Sequence, residues 1–328
     1  MVPPFVFPKS LEDLTVTLFL QRVFDALGNG AIYSALAVAL ALVYRSSGQL
    51  NFALGEASMV SVYAALILTM EPNPRLRPTL WASKHLHTPW PLLPAILVAV
   101  TLGFTSGWLM HRVVLRRVAQ DSGNSVVGAT IGVSLLLLGL ARQTMGASFW
   151  AFPTPFPQGP DAFVRIGGAR LWFENLCIAA TLLAVLALLG LFLNSSRTGL
   201  AFRAVTSNAE SSRLAGIAVE RTLAVGWGLA GTLGALAGVL VANSTLVEPG
   251  MMSRLFLFSL AAATIGGLDS PGGAALGGLV LALVQTMASG YIPAIGGDIS
   301  VLVAIALLLV VLFVRPRGLF GRERVVRV

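Results

Sequence analysis

Charge is what this chain has least of. Asp, Glu, Lys and Arg make up 11% of its 328 residues, against about a quarter in a soluble domain. In their place, 56% of residues are hydrophobic and mean hydropathy is +0.82. No soluble core of this length hides so much apolar surface, so lipid is the solvent for most of the chain. Cysteine is nearly missing: Cys177 alone excludes an internal disulfide framework and argues against a Cys-based metal site. The three histidines, His85, His87 and His111, fall in stretches read as loops, where solvated side chains explain them better than a metal. There is no GxxxxGK followed by Ser or Thr, no HExxH and no GxSxG, so a P-loop, a zincin helix and a serine-hydrolase elbow are all excluded. No acid, base or metal cluster falls at membrane depth. The reading is therefore non-enzymatic, without cofactor or metal. A net charge of +8 does not point to nucleic acid, because the arginines sit in short loops and no basic stripe is interleaved with aromatics. The opening MVPPFVFPKSLEDL lacks the basic region and apolar run of a signal peptide, so the first hydrophobic segment is expected in the mature protein.

Apolar stretches are present near 18–44, 52–70, 91–109, 126–143, 174–193, 223–242, 255–266, 274–289 and 299–314. A full helical crossing needs about 20 apolar residues, so 255–266 reads as a half-helix or re-entrant segment. The fold class is all-α and polytopic, one transmembrane domain over 1–328 with about eight or nine spans, some of them broken. GGLDSPGGAALGG (266–278) interrupts one such pair with Pro271 and six glycines. SSGQLNFALG (46–55) and LDSPGGAALG (268–277) echo one another as an apolar run, a break and a resumption, as broken helices of transporter repeats do.

Arginines collect in the loops 110–125 and 194–222 and in the basic tail 315–328. Nine alternating crossings put all three on one side, which the positive-inside rule makes the cytoplasm. The N-terminus and the loops 71–90 and 144–173 are then outside. Small residues recur every fourth position at Gly226, Ala230, Gly234 and Gly238, and again at Gly128 with Gly132 and Gly273 with Gly277. Such stripes let helix backbones approach closely. In the loop 194–222, Thr198 is the expected cap of a helix running to about residue 214. Its small apolar face would be Ala201, Ala204, Val205 and Ala209, with Glu210 and Arg213 spaced as an i,i+3 pair.

Glu56 is the one clear intramembrane acid. A charge at the centre of a spanning helix costs about 2.5–3.5 kcal/mol even on insertion scales. Water in a pathway, a partner cation or the N–H groups of a half-helix started by Asn51 would offset that. An interfacial Glu facing cytoplasmic water is the other reading. The scarcity of intramembrane acids weakens a gradient-driven secondary carrier, which commonly carries several. Gln285 and Asn243 read as interhelical hydrogen bonders and Arg142 as a snorkelling anchor.

Four stretches carry a family resemblance: NGAIYSALAVALALVYRSSGQLNFALGEASM (29–59), with its Asn-Phe-Ala-x-Gly-Glu core, FRAVTSNAESSRLAGIAVERTLAVGWGLAGTLGALAGVL (202–240), the segment from EPGM to GYIP (248–293) and RPRGLFG (315–321). Together they resemble the permease subunits of bacterial ABC importers for branched-chain amino acids, a family that includes urea and amide permeases. The family's usual His in the first motif is Leu54 here. The resemblance implies an ABC-importer permease fold in the inner membrane and ATP-driven import of a small polar solute. Branched-chain amino acids head the list of solutes, followed by urea and short amides. Its implied partners are a second, related permease subunit, two ABC ATPase subunits that hydrolyse the ATP, and a soluble solute-binding protein outside. It makes 194–222 a coupling loop, with Arg203, Asn208, Glu210, Arg213 and Gly216 directed at the ATPase. It places Asn51, Phe52, Gly55 and Glu56 at the solute pathway, with Gly266, Gly267, Pro271 and Gly272 in a second break beside it.

Overall fold

A computed structural model describes residues 11–70, 90–118, 123–146, 148–292 and 299–321. Its apolar helices are α1 (Leu11–Ser47), α2 (Leu54–Thr69), α3 (Leu92–Leu109), α4 (Gly123–Met145), α5 (Phe173–Ser195), α8 (Val219–Thr245), α9 (Met251–Gly266), α10 (Pro271–Tyr291) and α11 (Ser300–Val314). Two short helices, α6 (Arg197–Ser207) and α7 (Ala209–Leu214), lie between α5 and α8. All nine apolar stretches of the sequence are helices. Among the described residues six helices are long and apolar enough to cross a membrane, and α2, α9 and α11 are shorter apolar helices. The chain is a multi-pass membrane protein. The expectations for 71–89 and for the end of the tail, 322–328, lie outside the described residues. Between α4 and α5, β1 (Phe163–Ile166) and β2 (Ala169–Trp172) form an antiparallel hairpin. Gln21 of α1 holds it through hydrogen bonds with the Arg170 backbone.

The core is made by α1 and α8. In the α1 window 89% of residues are buried, against 17% in those of α4 and α5, so α1 is central and the other two are peripheral. A helix apolar on every side is enclosed by other helices or by lipid. Close approach rests on small residues. Ser34 donates to the Ala275 carbonyl across α1 and α10, and a side chain at Gly278 would strike the Ser34 backbone. Gly103 and Gly107 of α3 meet Gly231 and Trp227 of α8 backbone to backbone. The stripe Gly226, Ala230, Gly234 and Gly238 is buried throughout. Gly226 admits the Phe202 ring of α6, Gly234 admits Leu54 and Ser58 of α2, and Gly238 admits Val62 and Met252. Gly273 and Gly277 seat α10 on α9. Gly128 and Gly132 behave differently: nothing lies within 4 Å of a side chain built there, so that stripe faces out of the chain.

Two loop expectations are corrected. The stretch 110–125 is not a loop through its first half. Helix α3 continues as a π-helical segment, Met110–Leu115, and one more helical turn, Arg116–Val118. His111 lies in it, 4% exposed and against the Trp227 ring, not solvated. The helix expected from Thr198 to about 214 is two helices. Ser196, not Thr198, caps α6 by accepting from the Gly199 N–H, and Asn208 breaks the run by capping α7 through the Ser211 N–H. An extended cap residue ends one helix and starts the next.

The contrast between the glycine stripes gives a test. A side chain in a seam of this kind is overpacked by typically 1–3 kcal/mol. Gly231→Val should lower the thermal midpoint of the solubilised chain and its monodisperse yield, whereas Gly132→Val should leave both unchanged, read by fluorescence-detected size exclusion after heating.

Candidate functional site

The break between α1 and α2 is built by three local devices. Gly48, at φ +69°, ends α1 with its N–H on the Tyr44 carbonyl. Asn51 Oδ1 then accepts from the Ala53 N–H at 3.0 Å. It closes a turn ahead of the helix; the cap position of α2 itself is Ala53, which makes no side-chain cap bond. The first turn of α2 therefore keeps backbone N–H groups without a side-chain partner, and Glu56 sits in that turn, where the helix dipole favours a negative charge.

Packing fixes the depth of Glu56. Leu54 and Ser58 rest on Gly234, which lies fifteen residues from the first residue of α8 and eleven from the last. At 1.5 Å per residue that is about 22 and 16 Å. Glu56, between Leu54 and Ser58 in sequence, is thus beside the middle of the span. Its residue is 4% exposed. Oε1 accepts from Ser253 Oγ of α9 at 2.7 Å, and Oε2 is buried without a hydrogen bond from the described residues. Among the described residues, α2 and α9 hold three of the five such buried polar atoms: Glu56 Oε2, Tyr63 OH and Ser259 Oγ. Buried polar atoms are usually partnered, so this seam is where polar capacity is left over.

A cavity of about 280 Å³ opens at this point. Phe52, Gly55 and Glu56 form one wall, Ile131, Ser134 and Leu135 of α4 another, and Ser253, Phe256 and Leu257 of α9 the third. The Phe52 and Phe256 rings are 5.9 Å apart, and a side chain at Gly55 would stand 3.2 Å from Phe256 Cβ. One carboxylate and two hydroxyls thus sit in an apolar frame. Such a mixture binds a small molecule with one cationic or donor end and a hydrocarbon body. Beside it, Val60, Ile131, Leu135 and Leu257 are exposed.

The second break stands apart from this cavity. Gly266 is thirteen residues beyond Ser253 on α9, about 20 Å along the axis. Gly267 ends α9 at φ +105°, Ser270 caps α10 by accepting from Gly273, and Pro271 takes the first helical position. Gly272 is open to its surroundings. The tail closes on this turn, with Leu319 N–H on the Ile265 carbonyl and Phe320 N–H on that of Gly266.

In the loop, Arg203 donates to the Asn194 carbonyl at 3.3 Å. Glu210 is exposed, and Arg213 pairs not with it but with Glu220 at 3.1 Å. Gly216, at φ +79°, ends α7 with its N–H on Arg213 and the Ile217 N–H on Ser212, a Schellman closure that only glycine enters without strain. The apolar face of α6 is Gly199, Phe202 and Val205, so Val205 is the one expected member that is buried. Ala209 is exposed. Sequence reasoning missed Phe202, Ser253 and Ser134, and it missed Leu214, 87% exposed at the tip of α7. A bulky apolar residue two positions before a helix-ending glycine was the available signal for Leu214. Gln285 and Asn243 do bridge helices, to the Ser300 carbonyl and to Glu174. Among the described residues no three His, Cys, Asp or Glu side chains converge as a metal site.

A family model described as branched-chain amino acid transport system, permease component, matches residues 22–312. The high-affinity branched-chain amino acid transport system permease protein LivH of Escherichia coli strain K12 is 30% identical over 322 residues, covering 94% of this chain and 98% of its own. The corresponding BraD protein of Pseudomonas aeruginosa is 28% identical over 314 residues, with the same two coverages of 94% and 98%. Among solved structures, PsaBC from Streptococcus pneumoniae in complex with Fab matches with a TM-score of 0.45 at 13% identity, covering 94% of this chain and 95% of that chain. With its helices, its interrupted second span and nearly its whole length accounted for by one model, the chain belongs to the family of branched-chain amino acid transport permease components.

Proposed function

We propose that this chain is one half of the membrane gate of an ATP-driven importer in the inner membrane, and that its cargo is a branched-chain amino acid. The observation that carries the cargo assignment is the buried Glu56 carboxylate, bonded on one oxygen, at mid-span and on the wall of an otherwise apolar cavity. The ammonium group of an amino acid supplies the donors that Oε2 lacks, and Phe52, Ile131, Leu135, Phe256 and Leu257 surround an aliphatic side chain. Urea and short amides have no hydrocarbon body to use that frame. The exposed apolar residues beside the cavity and the open stripe at Gly128 and Gly132 are where a second permease subunit closes the pathway from its own side.

The coupling loop faces the cytoplasm, with the N-terminus outside and the C-terminus inside. Two separate ATPase subunits hydrolyse ATP and dock on α6 and α7, where Leu200 and Leu214 are exposed among Arg203, Asn208, Glu210 and Arg213. A soluble binding protein delivers the solute to the outer loops. The turn at Gly266, Gly267, Pro271 and Gly272, clasped by the tail, is a second hinge of the same gate and not a solute contact. Switching between the two openings is a rigid-body change of packed helices.

Two outcomes test this reading. Hydrogen bonds to a charged group contribute about 1.5–3 kcal/mol, so Glu56→Gln should reduce leucine uptake by reconstituted vesicles roughly tenfold or more. Uptake by Glu56→Gln at the unsubstituted rate would make the carboxylate structural. Leu214→Asp should abolish co-purification of the ATPase without moving the permease's thermal midpoint, since the side chain is 87% exposed. An ATPase that stays bound would remove α7 from the docking surface.

A further inference from the structure

The π-helical segment after α3 creates a second chemical feature, unconnected with Glu56. A π turn inserts an extra residue into the helix and re-aims the side chains that follow; such turns are frequent at functional sites. Here His111 lies inward against Trp227, 4% exposed, while Arg112 and Arg116 stay exposed. Arg112 lies over the Trp108 ring, 4.9 Å from its centroid. Between this segment and the first turns of α8 is a cavity of about 570 Å³ whose charged lining is Arg112, Arg116, Arg221 and Glu220. Arg112 and Arg116 also border a shallower basin of about 630 Å³, with Arg117, Leu109 and Val113. The single acid, Glu220, is engaged by Arg213 at 3.1 Å. Among the described residues the arginines of the basin make no ion pair.

We propose that this cavity and basin, which share Trp108, Arg112 and Arg116, together bind the phosphodiester headgroup of an anionic phospholipid, in the leaflet adjoining the loop that carries α6 and α7. Three features favour a lipid over a free phosphate. The arginines stand at the end of a span, where headgroups lie. Trp108 supplies the amphipathic ring typical of that level. Leu109 and Leu102, 53% and 40% exposed, lie on the bilayer side of the arginines along the same helix as an apolar track for an acyl chain. Because Glu220 both lines the cavity and holds Arg213 of α7, an anionic headgroup there takes up the positive charge of Arg112, Arg116 and Arg221 that otherwise surrounds this ion pair between α7 and α8.

The test is native mass spectrometry of the full chain, released from micelles doped equally with phosphatidylglycerol and phosphatidylcholine. Phosphatidylglycerol should be retained in preference, and R112Q/R116Q should reduce its retention by roughly tenfold. R197Q/R203Q, which removes the same charge from the loop outside the basin, should leave retention unchanged. R221Q approaches the site from α8 and should weaken retention even if the double variant folds poorly. Equal retention of the two lipids, an equal loss in R197Q/R203Q, or displacement of phosphatidylglycerol by millimolar inorganic phosphate would each overturn the proposal.

Discussion

The structure depends on how closely other helices approach α8. Gly226, Gly234 and Gly238 are a row of places where a side chain is missing so that something else fits. Leu54, Ser58 and Val62 of α2 fill two of them, which sets the height of Glu56. Met252 of α9 enters at Gly238, so Ser253 arrives opposite Glu56. Phe202 of α6 fills Gly226, so the loop is keyed into the same helix. In lipid there is little hydrophobic drive between helices, and close van der Waals contact through small residues takes over that role. The polar site is thus a consequence of an apolar fit.

That ordering explains how a carboxylate is tolerated at mid-span. The cost of a charge there is offset by a helix start with free N–H groups, by Ser253 at 2.7 Å and by the cavity it borders. Each depends on α2 beginning inside the membrane. A continuous helix through 48–53 would have consumed those N–H groups in its own ladder. The break is what makes an acid admissible, and irregular backbone at this depth persists only where protein or a cavity surrounds it.

The spans were legible in the sequence because hydropathy over about 20 residues is a one-dimensional signal. Both breaks were legible for a similar local reason, through Gly48 and Asn51 in one and Gly267 and Pro271 in the other. The first half of the candidate site, Asn51 to Glu56, was therefore readable, and its partners were not. Ser253 and Ser134 are ordinary residues on distant helices, and only packing against α2 and across the cavity gives them meaning. The face of α6 was misjudged because small size was taken as the mark of burial. The seat at Gly226 selects the largest apolar residue of that helix, Phe202. His111 was read as a loop residue because a π turn has no signature in hydropathy, and its burial against Trp227 follows from that turn. The Gly128 stripe shows the converse: spacing announces a flat face but does not say which chain will use it.

The keyed position of Phe202 bears on how a push on the loop by the proposed ATPase would reach mid-span. A loop tethered only by its chain ends would absorb movement in its flanking turns. Here the Phe202 ring occupies the space beside Gly226, and eight residues further along α8 lies Gly234, which carries Leu54 and Ser58. The separation is about 12 Å of one continuous helix. Packed interiors are stiff and change between discrete arrangements, so α8 moves with α6 unless the ring leaves its seat. Displacement of the loop would then arrive at the start of α2, where the turn closed by Asn51 and the Glu56–Ser253 bond are directional, breakable contacts. The same glycines that build the site therefore also make it movable from the loop.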